Sequence, residues 1–123
     1  MKTYAIIGAS KNTQKYGYKV MKFLKELNEK VIPINPFEKE ILGEKVFFNV
    51  NEITQKIDTI LFITQPEVTL KVLKEINKEN IPFIWFQPGS ENLESINYCK
   101  KYNILFSEQK CIMVEKLKKN KLA

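Results

Sequence analysis

The chain contains no histidine and no arginine, a single aspartate (Asp58) and two cysteines. Without histidine, the usual proton shuttle of a nucleophilic triad is missing. Ser10 therefore has no evident base and reads as a turn hydroxyl. A lone Asp58 at a strand start argues against a paired-carboxylate site, and Glu115 beside Cys111 reads as half of a surface ion pair. Cys99 and Cys111 form neither a metal-ligand spacing nor a disulfide framework. No apolar run approaches the length of a transmembrane helix, and the one behind Lys2 is too short for a secretory signal. A reducing cytosol is the expected compartment, with no membrane partner. Repeats and linkers are also missing, so the 123 residues are expected to form one domain, 1–123.

Every basic residue is a lysine, and the net charge is +6. Part of that excess sits in the terminal run Lys116-Leu-Lys-Lys-Asn-Lys121, which reads as a solvated end. The remainder favours an anionic ligand. Nucleic acid is not expected, because it calls for lysines interleaved with exposed aromatics on one face. The aromatics here fall in strand cores and on helix faces.

What the chain does have is concentrated at its beginning, Tyr4-Ala-Ile-Ile-Gly8-Ala-Ser10-Lys-Asn-Thr-Gln-Lys15-Tyr-Gly17. An apolar strand, a glycine with small neighbours, a polar loop and a helix pattern make the opening of a nucleotide-binding βα unit. Gly8 ends the strand at a sharp turn, and Ala9 and Ser10 keep the approach open to a phosphate. Gly17 lets the helix start close to that turn, where its free N–H groups and partial positive charge meet an anion. Ser10 and Lys15 are the side chains expected to add to it. The dinucleotide fingerprint is not present: Gly8 and Gly17 are too far apart. The second strand ends in Asn35-Pro36 rather than in the acid that holds a ribose.

Further along, Val20, Phe23, Leu24 and Leu27 mark one helix face, and Asn28 suits a left-handed exit. Val31 to Ile34 predicts a strand, with a break in pairing expected at Pro33. Two tiny strands are expected around Gly43, then a short helix over 53–56 capped by Asn49 or Asn51. Ile57 to Thr64 contains a buried strand, and Pro66 opens a helix reaching about Glu79, with Val68, Val72, Leu73 and Ile76 inside. Asn80 is expected to repeat the role of Asn28. Phe83 to Phe86 is a strand, Ser90 a candidate N-cap for a helix over 91–102, and Ile104 to Phe106, after Asn103, the last strand. The order predicts a parallel sheet wrapped by helices on both faces. Ligands of such sheets bind beyond the carboxyl ends of the strands, where the loops are 8–17, 35–36, 64–66 and 87–89.

Taken together, these loops resemble the CoA-binding domain family, the small Rossmann-like proteins similar to the N-terminal domain of succinyl-CoA ligase α subunits. The matching residues run in order over nearly the whole chain. They are Ile7-Gly8-Ala9-Ser10 with Asn12 and Lys15-Tyr16-Gly17-Tyr18, Val31-Ile-Pro-Ile-Asn35-Pro36, Ile41-Leu42-Gly43-Glu44-Lys45-Val46, Trp85-Phe86-Gln87 with Gly89, and Cys111-Ile112-Met113-Val114-Glu115. The resemblance implies a three-layer α/β Rossmann-like fold with a five-stranded parallel sheet, and coenzyme A or an acyl-CoA as ligand. It implies Gly8, Ala9, Ser10, Lys15, Tyr16 and Gly17 around the phosphates, Asn35 and Pro36 near the adenosine, and Thr64, Gln65 and Pro66 bordering the cavity. Cys111 would lie near the thiol end of the ligand, unless it is simply a small buried residue. The chain departs from the family at Gln65, often arginine, at Phe37, often basic, and at Lys116, commonly histidine. Lysines are left to carry the anion binding, as point charges rather than planar forks. The phosphohistidine of the true ligases cannot form. A CoA-binding protein without catalytic machinery of its own is the expected function. An NAD(P)-dependent oxidoreductase fragment and a ligand-free interaction module are the alternatives.

Overall fold

The first strand, β1 (Thr3–Ile7), alternates its side chains between two hydrophobic layers, and that alternation organises the molecule. The structure, a computed structural model, describes residues 1–122. Ala5 and Ile7 face one layer, while Tyr4 and Ile6 face the other. Around β1 stand β2 (Lys30–Ile34), β5 (Thr59–Phe62), β6 (Phe83–Phe86) and β7 (Leu105–Ser107), in the order β2-β1-β5-β6-β7, all pairs parallel. Strands buried on both faces need continuous apolar sequence, and Thr-Ile-Leu-Phe of β5 is buried at every position.

Helices α1 (Tyr16–Glu26) and α4 (Ile112–Leu122) cover one face, and α2 (Pro66–Glu75) and α3 (Leu93–Lys101) the other. Val20, Met21 and Leu24 of α1 are fully buried against Tyr4, Ile6 and Leu61. On the opposite side Phe62 stacks on Phe86, with ring centroids 5.7 Å apart, beneath Leu73, Ile76 and Cys99. A two-stranded hairpin, β3 (Glu40–Ile41) and β4 (Glu44–Lys45), turns around Leu42-Gly43. Asn28 and Asn103 leave their helices at φ 62° and 55°, the left-handed exit that asparagine tolerates.

Several expectations are corrected. Pairing of β2 with β1 continues through Pro33, opposite Ile6. The proline carbonyl accepts from the Phe47 amide at 3.0 Å, so this residue's polar groups face the outer edge and its missing N–H costs the β1 ladder nothing. In place of a helix over 53–56 there is one 3₁₀ turn, Val50–Glu52, whose Glu52 carboxylate accepts from the Phe48 and Asn49 amides. Helix α2 stops at Glu75, and Asn80 closes a separate 3₁₀ turn rather than a helix exit. The N-cap of α3 is Asn92, whose Oδ1 accepts from the Ser95 amide at 2.8 Å; Ser90 instead donates its hydroxyl to the Gln87 carbonyl.

The lysine-rich end is corrected in part: it belongs to helix α4, on which Lys118 and Lys119 are exposed as expected while Lys116 is half-buried. Lys116 Nζ pairs with Glu29 Oε2 at 2.8 Å and lies 5.4 Å from the Tyr4 ring centroid. Partial burial would raise the Glu29 carboxyl, but hydrogen bonds from Lys116 and the Lys2 amide outweigh it and hold the group below its ordinary value. Burial also works against the Lys116 ammonium, and its bonds to Glu29 and Tyr4 leave it raised.

Two predictions follow from this packing. A Cβ at Gly17 would fall inside the radius of the Gly8 carbonyl oxygen, a backbone atom that cannot rotate away. Gly17→Ala should therefore cost about 3 kcal/mol or more in urea unfolding, at the upper end of overpacking effects. A cost under about 1 kcal/mol, the range of a helix propensity change, would show that α1 does not rest on the turn. Lys116→Met should cost about 1–2 kcal/mol at neutral pH, between the values for exposed and buried pairs. A depressed carboxyl stabilises above its unfolded pKa and a raised ammonium below its own. The wild-type advantage should thus fade as pH falls below 4.5 and again as it rises above 10.5, read from pH-dependent urea midpoints.

Candidate functional site

The order of the strands reverses between β1 and β5, so the chain leaves their carboxyl ends in opposite directions and opens a crevice there. At the end of β1, Gly8 takes φ 99°, and a Cβ on it would sit 2.7 Å from the Ile63 carbonyl oxygen. Only glycine lets the turn pass this close to β5. Gly17 then allows the first turn of α1 to rest on the Gly8 carbonyl. The loop between them is held by its own polar groups: the Ser10 hydroxyl accepts from the Asn12 amide, and Asn12 Oδ1 from the Gln14 amide, both at 3.0 Å. The Lys15 amide donates to the Asn12 carbonyl, while the Tyr16 and Gly17 amides open α1 without an intrahelical acceptor.

Beside this turn lies a cavity of about 550 Å³, within the range of small-molecule sites. Gly8, Asn35, Pro36 and Thr64 line it, four of the residues expected from sequence on three separate loops. Asn35 is the strut: its Nδ2 donates to the Ala9 carbonyl at 2.9 Å, and its Oδ1 accepts from the Phe37 and Glu38 amides. Thr64 is tied to the first turn of α2 through its hydroxyl, 2.6 Å from that of Thr69.

The remaining expected residues lie elsewhere. Ala9 is buried in the α1 layer, and Ser10 and Lys15 stand on the loop, Lys15 exposed at the N-cap of α1. Gly17 is buried as a spacer between helix and turn. Gln65 is the exposed N-cap of α2 and Pro66 its first residue, beside the cavity but not lining it. Tyr16, 62% exposed, borders a smaller cavity of about 200 Å³ with Ile63, Gln87, Pro88 and Cys111. Half-buried Cys111 precedes α4 and receives a 3.5 Å hydrogen bond from Gln87 Nε2, while Gln87 Oε1 accepts from the Ile112 amide at 2.7 Å. Cys99 is different in kind: burial in the core pushes its thiol up to about 11.

Sequence reading missed the far wall of the large cavity. Val68, Lys71, Val72, Glu75 and Ile76 form one stripe of α2 along it, opposite Phe48 and the Asn49–Asn51 segment. Val68, expected inside, is 43% exposed. The available signal was the pair Lys71 and Glu75, charges set within the apolar spacing of Val68, Val72 and Ile76.

Among the described residues no helix is long and apolar enough to cross a membrane, and no cluster of three or more metal-ligating side chains occurs. The family model "CoA binding domain" matches residues 2–116. An ADP-forming acetate–CoA ligase of Methanocaldococcus jannaschii is 35% identical over 119 residues, covering 90% of this chain but 17% of the ligase. The chain thus spans about a sixth of that relative's length. An uncharacterized Bacillus subtilis protein, YneT, is 27% identical over 92% of this chain and 84% of its own. A conserved hypothetical protein from Pyrococcus furiosus superposes with a TM-score of 0.89 and 38% identity, covering 94% of this chain and 99% of that one. Sequence, sheet order and the glycine-built turn agree: this chain belongs to the CoA-binding domain family.

Proposed function

We propose that the chain binds coenzyme A or an acyl-CoA at the rim of the sheet and carries no catalytic machinery of its own. The observation that supports this best is the convergence of Gly8, Asn35, Pro36 and Thr64 on one cavity beside the start of α1. In this reading the adenosine end occupies the large cavity, whose walls are mostly apolar side chains. The pyrophosphate meets the 8–17 loop, where the first amides of α1, Ser10 and Lys15 supply donors and charge. The pantetheine arm runs toward the smaller cavity at Tyr16 and Cys111. Asn35 at the end of β2 weighs against NAD, since it is already bonded on both ends of its amide and offers no carboxylate to a ribose.

Titration calorimetry with CoA, NAD and ADP tests the assignment. CoA is expected to bind more tightly than ADP, and NAD to give no heat. Tighter binding of NAD would move the chain to the dinucleotide class, and silence with all three would leave an interaction module. Lys15→Ala should weaken CoA binding several-fold and flatten its dependence on ionic strength, as loss of one exposed charge contact does. Unchanged affinity at low salt would place the pyrophosphate away from this loop.

A further inference from the structure

The wall of α2 that sequence reading missed carries a charge that the cavity itself leaves unused. Lys71 is the one basic side chain among the described residues lining the cavity. Six other lysines, at positions 11, 22, 25, 110, 116 and 118, are engaged in ion pairs. Lys71 has no such partner among the described residues, although Glu75 stands one turn away on the same stripe.

The other polar groups of the lining are less available. Asn35 is bonded to Ala9, Phe37 and Glu38, and Asn51 donates to the Glu75 carbonyl at 3.0 Å while accepting from the Asn77 amide at 3.2 Å. The start of α2 is a poor seat for an anion as well. Its first residue, Pro66, has no N–H to offer, and Glu67 beside it is negative. Lys71 is therefore the lining group that brings a positive charge to an anion in this cavity.

We propose that Lys71 is the specificity-determining contact for the 3′-phosphate of CoA, so that the cavity selects CoA over its dephospho form. The proposal rests on the CoA reading above. CoA carries this monoester on C3′ of the ribose, on the ring face opposite both the base and the 5′-pyrophosphate arm. With the base against Ile7, Ile34 and Ile76 and the pyrophosphate at the 8–17 loop, a ribose phosphate directed away from both is assigned to Lys71 on the α2 stripe. Glu75 repels an anion one turn further on and leaves that end of the stripe to the neutral ring. One charge-assisted contact corresponds to about a tenfold difference in affinity.

The test is calorimetry of CoA and 3′-dephospho-CoA on the intact chain and on Lys71→Gln, Lys71→Arg and Lys74→Gln. Wild type should bind CoA about tenfold more tightly than dephospho-CoA, with the ratio shrinking as salt rises. Lys71→Gln should bring the ratio close to one by weakening CoA alone. Lys71→Arg should restore most of it, and Lys74→Gln, an exposed change outside the cavity on the same helix, should leave it intact. Should wild type bind the two ligands equally, or should Lys71→Gln weaken both alike, the 3′-phosphate assignment falls and CoA binding stands. If wild type binds neither, the CoA reading fails and takes the proposal with it.

Discussion

The contact between two glycines nine positions apart in the chain sets the geometry of the rim. Gly8 must lie almost on the Ile63 carbonyl, and Gly17 must lie on Gly8. A side chain at Gly17 would lift α1 from the turn and one at Gly8 would push the turn off the Ile63 carbonyl, since the nearest opposing atoms are backbone and cannot rotate away. The start of α1 is thereby fixed against the switch point of the sheet. A helix N-terminus acts on an anion only if it is aimed, because its partial charge falls off within a turn.

The large cavity arises from an uneven layer. On the α1 side, β1 and β2 are covered by a full helix, by α4 and by the β3–β4 hairpin through Ile41 and Val46. On the α2 side, the chain crosses from β2 to β5 by an irregular path containing one 3₁₀ turn, with Val50 as its buried anchor. A single turn cannot fill the space a helix would. Apolar surface of Ile7, Ile34, Val68 and Val72 is left facing a void that a flat ring can enter. The same crossover seals the outer edge of β2, where the Phe47 amide donates to the Pro33 carbonyl and the Asn35 amide donates to the Phe47 carbonyl.

The strands and the α1 turn were legible because their signals are local: continuous apolar runs, a glycine at a strand end, asparagine at helix exits. The hairpin at Gly43 was legible for the same reason. What failed depended on distant partners. Pro33 breaks a ladder only if its N–H side faces one, and here that side faces Phe47. Lys116 looks solvated until the distant Glu29 and Tyr4, from the start of the chain, are placed beneath it. Asn92 outcompetes Ser90 for the α3 cap because Ser90 is buried and already bonded to Gln87. For the candidate site the pattern repeats. The loop residues could be listed from sequence, whereas the α2 wall needed the crossover's path, which follows no periodicity.

In the proposed CoA reading, a chain without arginine would recognise phosphate in two parts. An ammonium supplies charge but no preferred plane, so it attracts an anion without orienting it. Orientation then has to come from groups that cannot move, and the backbone amides at the start of α1 are such groups. They are held by the glycine contact and by the Asn12 and Lys15 bonds of the loop. In that reading Lys15 and Lys71, both exposed, would add charge without having to set the geometry. The rigid half of such recognition would lie in the main chain and the soft half in the side chains, and only the rigid half would constrain the fold.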